Sequence, residues 1–243
     1  MWVIKSVSRE SDTYTIRNMV GGTYMSLTGS ATNGTAIVGS QQAGDNQKWI
    51  IKKGTRSDMT YSRIQNKGNR SFIDLAGGAG ANGTKVLGWQ STWDDSNTNQ
   101  RWNFSSQSLT SAEVRTALDA NPYLRSDFKS FVSDGMYLIL SQARYQEIWR
   151  NSGLQSRRWR EEVFDCDDFS FVYKGEVGKW GDSQFKATGF GILCGIMFGS
   201  SKQGAHAYNW MVKSGNHANI EFFEPQDNTF KDDPGYSAYF GVY

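Results

Sequence analysis

The chain has 243 residues, 38% apolar and 14% aromatic, which suits one large or two ordinary domains and excludes a disordered protein. Its 26 lysines and arginines stand against 24 acids, a net charge of +2, which excludes a dedicated nucleic-acid binder with its basic patch or stripe. The longest apolar run, FGILCGIMFG, is interrupted by glycines and is too short for the ~20 residues of a membrane span, so no span is expected.

From the first residue the texture is that of short strands between turn formers. No charged-then-apolar leader opens the chain, which predicts a cytoplasmic location, and Cys166 and Cys194 are then expected as free thiols. TYTIRNM, TYMSL, TAIVGS, QKWIIKK, SFIDL and TKVLGWQ are strand-like runs bounded by Gly, Asn, Asp and Ser. They contain a repeat: IRNMVGGTYMSL, Ile16 to Leu27, matches IQNKGNRSFIDL, Ile64 to Leu75. Each copy is followed by NGT and closes on NQKW or NQRW, so one supersecondary unit is used more than once. The opening MWVIK reads as the end of a further unit, Trp2 to Lys5 corresponding to Trp49 to Lys52.

Beyond residue 106 the pattern changes. Thr110-Ser111-Ala112-Glu113 has capping-box spacing with apolar residues following at Val114 and Leu118, which predicts a helix start. YLILSQARYQEIW and DDFSFVYKGEVGKW read as helical or mixed, whereas ANIEFFEPQ and SAYFGVY read as strands. Residues 107–243 are therefore expected to form a separate α+β domain.

The repeats closing on Gln-x-Trp resemble the ricin B-type lectins, in which three units build an all-β β-trefoil. That resemblance implies a trefoil over residues 1–106 made of two full repeats and the end of a third, lacking its first repeat. It also implies a galactose site built from a carboxylate that accepts from sugar hydroxyls, an aromatic ring for the apolar sugar face, and an amide near Gln-x-Trp. The second repeat has all of these as Asp74, Trp89, Asn99 and Gln100, whereas the first has Ser26 and Ser40 in the first two places and keeps only Asn46 and Gln47. Asp74 or Asn99 alone would be an ordinary turn cap; four matched positions in register favour a sugar site in the second repeat.

In the second half a lone cysteine sits among acids in EEVFDCDDFS, and neighbouring carboxylates oppose the ionisation that makes a thiol nucleophilic. Taken by itself Cys166 is an inert thiol, a metal ligand or a nucleophile, while Cys194 in an apolar run is a core residue. WREEVFDCDDF, VGKWG, KATGF, AHAYN and FFEPQ, in that order behind a ricin-type lectin, resemble the chimeric mushroom lectins of the Marasmius oreades agglutinin type. That resemblance implies a papain-like cysteine protease domain over residues 107–243, homodimeric and activated by calcium. It implies Cys166 as nucleophile, His206 as general base and Glu224 as the residue that orients the imidazole, with His217 outside the triad. It further implies Ca2+ held by Asp167, Asp168 and Gln226. The expectation is a galactoside-binding lectin carrying a calcium-activated endopeptidase, acting on galactose-containing glycans and protein substrates. Two alternatives stand beside it: a carbohydrate-binding lectin whose C-terminal domain only dimerises, without catalysis, and a transglutaminase or amidase using the same Cys–His pair.

Overall fold

Apolar residues alternating with polar ones between turn formers make strands of the first hundred residues, and the chain order of those strands is simple. They are β1 (Trp2–Ser6), β2 (Thr13–Asn18), β3 (Tyr24–Leu27), β4 (Thr35–Ser40), β5 (Lys48–Lys53), β6 (Ser62–Asn66), β7 (Phe72–Leu75) and β8 (Val86–Trp89). The computed structural model describes residues 1–42, 44–54 and 60–243. The chain separates into two units, Met1–Ser105 with Phe185–Thr188, and Ser106–Gln184 with Gly189–Tyr243.

In the first unit the sheet order is β1-β2-β3-β4-β8-β7-β6-β5, and β5 also pairs with β2, so seven strands close on themselves with β1 outside the ring. The closure leaves β2 and β5 without free edges. The registers repeat with the sequence: Ile4 lies opposite Ile16 and Ile51 opposite Ile64. Ile16, Leu27, Trp49, Ile64 and Ile73 form the buried core, flanked by Ile4, Met25, Ile51 and Trp102. The two Gln-x-Trp tryptophans are held alike, the Trp49 indole N–H donating to the Met25 carbonyl at 2.9 Å and that of Trp102 to the Ile73 carbonyl at 3.0 Å. Each indole thus buries its ring while its one donor is satisfied. The segment Phe185–Thr188 belongs to this unit through the Lys186 and Ala187 backbone N–H groups, which donate to the Met19 carbonyl at 2.9 and 3.1 Å.

The second unit comprises β9 (Ser108–Thr110), α1 (Ser111–Asp119), β10 (Leu124–Phe131), β11 (Met136–Leu138), α2 (Gln142–Ser152), α3 (Cys166–Gln184), β12 (Gly191–Ile192), β13 (Gly195–Ser201), β14 (Gly204–Val212), β15 (Ile220–Glu224), β16 (Thr229–Lys231) and β17 (Ser237–Val242). The expected capping box starts α1: Thr110 Oγ1 accepts from the Glu113 backbone N–H at 3.2 Å while Glu113 Oε2 accepts from the Thr110 N–H at 2.7 Å. One face of α3 is apolar at a spacing of four residues, Phe169, Tyr173 and Val177, and all three are buried. A six-stranded sheet, β10-β17-β13-β14-β15-β16, carries the bulk of the unit, and β12-β11-β9 form a second, smaller sheet. Leu193, Met197, Tyr208, Trp210, Phe222 and Tyr243 pack its core with Val114 and Leu118 from α1.

This architecture corrects the papain-like α+β expectation for residues 107–243. Among the described residues nine strands in two sheets outweigh three helices, so the unit is largely β. The helical segments were legible from their caps and periodicity. The runs between them, GIMFGSS and GAHAYNWMV, pair from Gly195 opposite Trp210 to Ser201 opposite Gly204.

Candidate functional site

Antiparallel pairing of β7 with β8 sets Phe72 opposite Trp89 and Asp74 opposite Leu87, so these four residues share one face of the pair. Trp89 is 38% exposed at the end of β8, while Asp74 is 4% exposed beside the Thr98–Gln100 turn. Two amide groups donate to Asp74 Oδ2: Nδ2 of Asn97 at 3.0 Å and Nε2 of Gln100 at 2.9 Å. Asn97 also caps the turn, its Oδ1 accepting from the Asn99 backbone N–H at 3.0 Å. Asn99 lies against Gly78, where an added Cβ would sit 2.5 Å from its Oδ1; Gly77 and Gly78 both have φ near +60° (62° and 63°), so that turn tolerates only glycine.

The structure thus brings Asp74 and Gln100 into direct contact, sets Asn99 on the neighbouring turn and leaves Trp89 exposed on the shared strand face. Asn97 was missed by sequence reasoning, although its place three residues before Gln100 is a capping position that could have pointed to it. The first repeat carries the same skeleton without the carboxylate: Gln47 Nε2 donates to Ser26 Oγ at 2.6 Å and Gln47 Oε1 accepts from the Gly44 N–H at 2.6 Å.

In the second unit Cys166 opens α3, and its thiol is pushed above the ordinary cysteine value chiefly by burial, with Asp165 and Asp167 adding to the effect and the Ala207 backbone N–H opposing it. Asp165 and Asp167 share a hydrogen bond that raises the carboxyl of Asp167 and lowers that of Asp165. Donor atoms of Asp165, Cys166 and Asp167 lie within 4.8 Å of one another. Asp168, expected as a metal ligand, accepts from the Asp165 N–H at 3.2 Å, and the Gln226 N–H donates to Glu224 Oε1 at 3.2 Å. His206, on β14, pairs through Nε2 with Glu224 Oε2 at 2.7 Å, and its ring lies 4.9 Å from that of Tyr236. Cys194 is buried, and its thiol is pushed up to about 12 by desolvation.

Two family models match the chain: a ricin-type beta-trefoil lectin domain-like model over residues 1–89 and an agglutinin C-terminal model over residues 137–230. A comparison with curated proteins returned no match. Among solved structures, Polyporus squamosus lectin bound to the human-type influenza-binding epitope Neu5Acα2-6Galβ1-4GlcNAc is 48% identical, with a TM-score of 0.89 over 100% of this chain and 84% of that one. A PSL1a–E64 complex is likewise 48% identical, with a TM-score of 0.88 over 100% of this chain and 85% of the other. The chain belongs to this family: it is a ricin-type lectin with an agglutinin C-terminal domain.

The family corrects two expectations. The similar structures are lectins of the Polyporus squamosus kind and not Marasmius oreades agglutinin, and neither matching model is a protease, so the reading as a calcium-dependent papain-like cysteine protease is replaced by that of a lectin. Cys166, His206 and Glu224 all fall within residues 137–230, so the motifs that carried the protease resemblance belong to the agglutinin C-terminal domain itself.

The two thiols should react in a fixed order. Iodoacetamide at neutral pH is expected to modify Cys166 more slowly than free cysteine and Cys194 more slowly still, with both rates rising with pH, as followed by peptide mass spectrometry. The folded chain holds the Cys194 proton up to about pH 12, whereas an unfolded thiol loses it near ~8.5, so this part of the stability is intact below ~8.5 and declines as pH climbs. Modification of Cys166 faster than free cysteine at neutral pH would contradict this account.

Proposed function

We propose that this lectin binds galactose-containing glycans through a single site on its second repeat, with Trp89 under the apolar face of the sugar, Asp74 and Asn99 on its hydroxyls and Gln100 holding Asp74. The carrying observation is the asymmetry between the repeats: both share the Gln-to-strand bond, but only the second ends it on a carboxylate beside an exposed tryptophan. The galactose within the epitope bound by Polyporus squamosus lectin supports the same sugar class. Asp74→Ala together with Trp89→Ala should abolish retention on a galactose-type matrix, while Asn46→Ala should change little. Loss of the charge-assisted bond at Asp74 alone should weaken affinity by about 1.5–3 kcal/mol, roughly ten- to a hundredfold. Retention that survives the double change would move the site elsewhere.

For the second unit we propose the non-catalytic role of a dimerisation platform. Phe131 is 64% exposed at the end of the edge strand β10, and the partly exposed rings of Phe171, Phe198 and Phe240 follow one another at 6.1–6.2 Å, an apolar surface that suits self-association. Sedimentation equilibrium should give a dimer that Phe131→Glu dissociates; a monomer at every concentration of the unaltered chain would refute the proposal.

Calcium is the cation proposed for the acidic end of α3. The oxygen donors of Asp165 and Asp167 suit its hard-ligand preference, with Cys166 the misfit in that group, and a bound ion would offset the repulsion between the two carboxylates. Millimolar calcium should raise Tm, and Asp167→Ala should remove the increment. An unchanged Tm in calcium for the unaltered chain would mean that these acids cap the helix and nothing more.

A further inference from the structure

Gln100 is fully buried between two groups of opposite hydrogen-bonding character. On one side stands the Asp74 carboxylate, an acceptor only, which takes the Nε2 of Gln100 at 2.9 Å. On the other stands the guanidinium of Arg63, a donor only, which gives its Nη2 to the Gln100 Oε1. Arg63 is itself fully buried on β6. Its fork is held in place by further acceptors, the Thr92 carbonyl at 2.5 Å and Ser91 Oγ at 3.2 Å, and its plane lies 4.3 Å from the Phe72 ring centroid and 5.8 Å from that of Trp93. Asp95 Oδ1 is 3.8 Å from Nη1, so the buried charge has a counter-charge close by.

An amide side chain has two nearly isosteric orientations, and a site that relies on one must exclude the other. Reversing Gln100 would set its oxygen against the Asp74 carboxylate and its NH2 against the guanidinium, making both contacts repulsive. The first repeat has no such device. Its residue at the Arg63 position is Thr15, and the Gln47 oxygen takes a backbone N–H from Gly44 while the amide faces a serine that accepts or donates equally well.

We propose that Arg63 is a positioning residue of the glycan site: it fixes the Gln100 amide so that the N–H points at Asp74, and Gln100 with Asn97 then saturates Oδ2 and leaves Oδ1 directed to the sugar. This rests on the assignment of the site to the second repeat. Arg63 touches no sugar; it acts through Gln100.

Calorimetric titration of the full chain with Neu5Acα2-6Galβ1-4GlcNAc tests it, with Tm recorded for every variant. Asp74→Ala should weaken binding ten- to a hundredfold, and Arg63→Met should weaken it at least tenfold. In a Gln100→Leu background Arg63→Met should weaken it less than twofold further, because the group through which Arg63 acts is gone. Gln100→Glu, which keeps the bond to Arg63 but removes the donor to Asp74, should weaken binding at least as much as Gln100→Leu while remaining folded. A merely structural Arg63 would give additive losses in the double variant, and that result, or unchanged affinity in folded Arg63→Met, overturns the inference while leaving the site intact. Unchanged affinity in Asp74→Ala, or binding undetectable in the unaltered chain, overturns the site assignment and the inference with it. Should Arg63→Met fail to fold, the Gln100 side-chain amide protons of the unaltered chain decide: slow exchange with solvent supports the lock, and exchange at the rate of an exposed amide refutes it.

Discussion

The hydrogen bonds that return from each Gln-x-Trp turn to an earlier strand, β3 in the first repeat and β7 in the second, organise the first unit. In the second repeat the indole N–H of Trp102 reaches the Ile73 carbonyl and the amide of Gln100 reaches Asp74, one residue further along the same strand. The first bond lets a large ring enter the core without leaving a polar group unpaired, an omission that would cost about 1–3 kcal/mol. The second sits at the boundary of that core and ends on a group able to meet a ligand. In the proposed site stability and recognition share one short segment, and the repeat that lacks the carboxylate, with Ser26 bonded to Gln47, folds by the same pair of bonds.

Sheet closure supplies the rigidity this arrangement needs. β8 pairs with both β7 and β4, so Trp89 projects from a strand held on two sides, and Gly88 beside it has room for no side chain, since an added Cβ would lie 2.5 Å from Leu27. In the second unit the electrostatics run against ionisation of the cysteine. Burial and two acids raise the Cys166 thiol above its ordinary value, and the contact between those acids raises the carboxyl of Asp167 while lowering that of Asp165. The imidazole of His206 is directed to Glu224, beneath the ring of Tyr236.

Local signals were legible in the sequence and distant pairings were not. The capping box of Thr110 and Glu113 is contained in four residues, and the structure forms it as read. The repeat was legible because it occurs twice, and the equivalence of Trp2 to Lys5 with Trp49 to Lys52 reappears in registers that set Ile4 against Ile16 and Ile51 against Ile64. Arg63 could not be seen as a partner of Gln100, since 37 residues separate them and only the closed sheet brings them together. The second unit was misread for a different reason. Its thiol, imidazole and carboxylate named a chemistry, and chemistry does not fix architecture. The strand pairing of β13, β14 and β17 does, and that pairing is set by register along the strands and not by the thiol, imidazole or carboxylate.

The central claim is that one repeat of the first unit carries the glycan site. Indole resonances in a nitrogen-15 correlation spectrum, followed while Neu5Acα2-6Galβ1-4GlcNAc is titrated in, test it most directly. Trp89 should shift progressively, while Trp49 and Trp102, whose N–H groups are bonded to Met25 and Ile73, stay nearly still. A stationary Trp89, with shifts confined to residues of the first repeat or the second unit, would contradict the account.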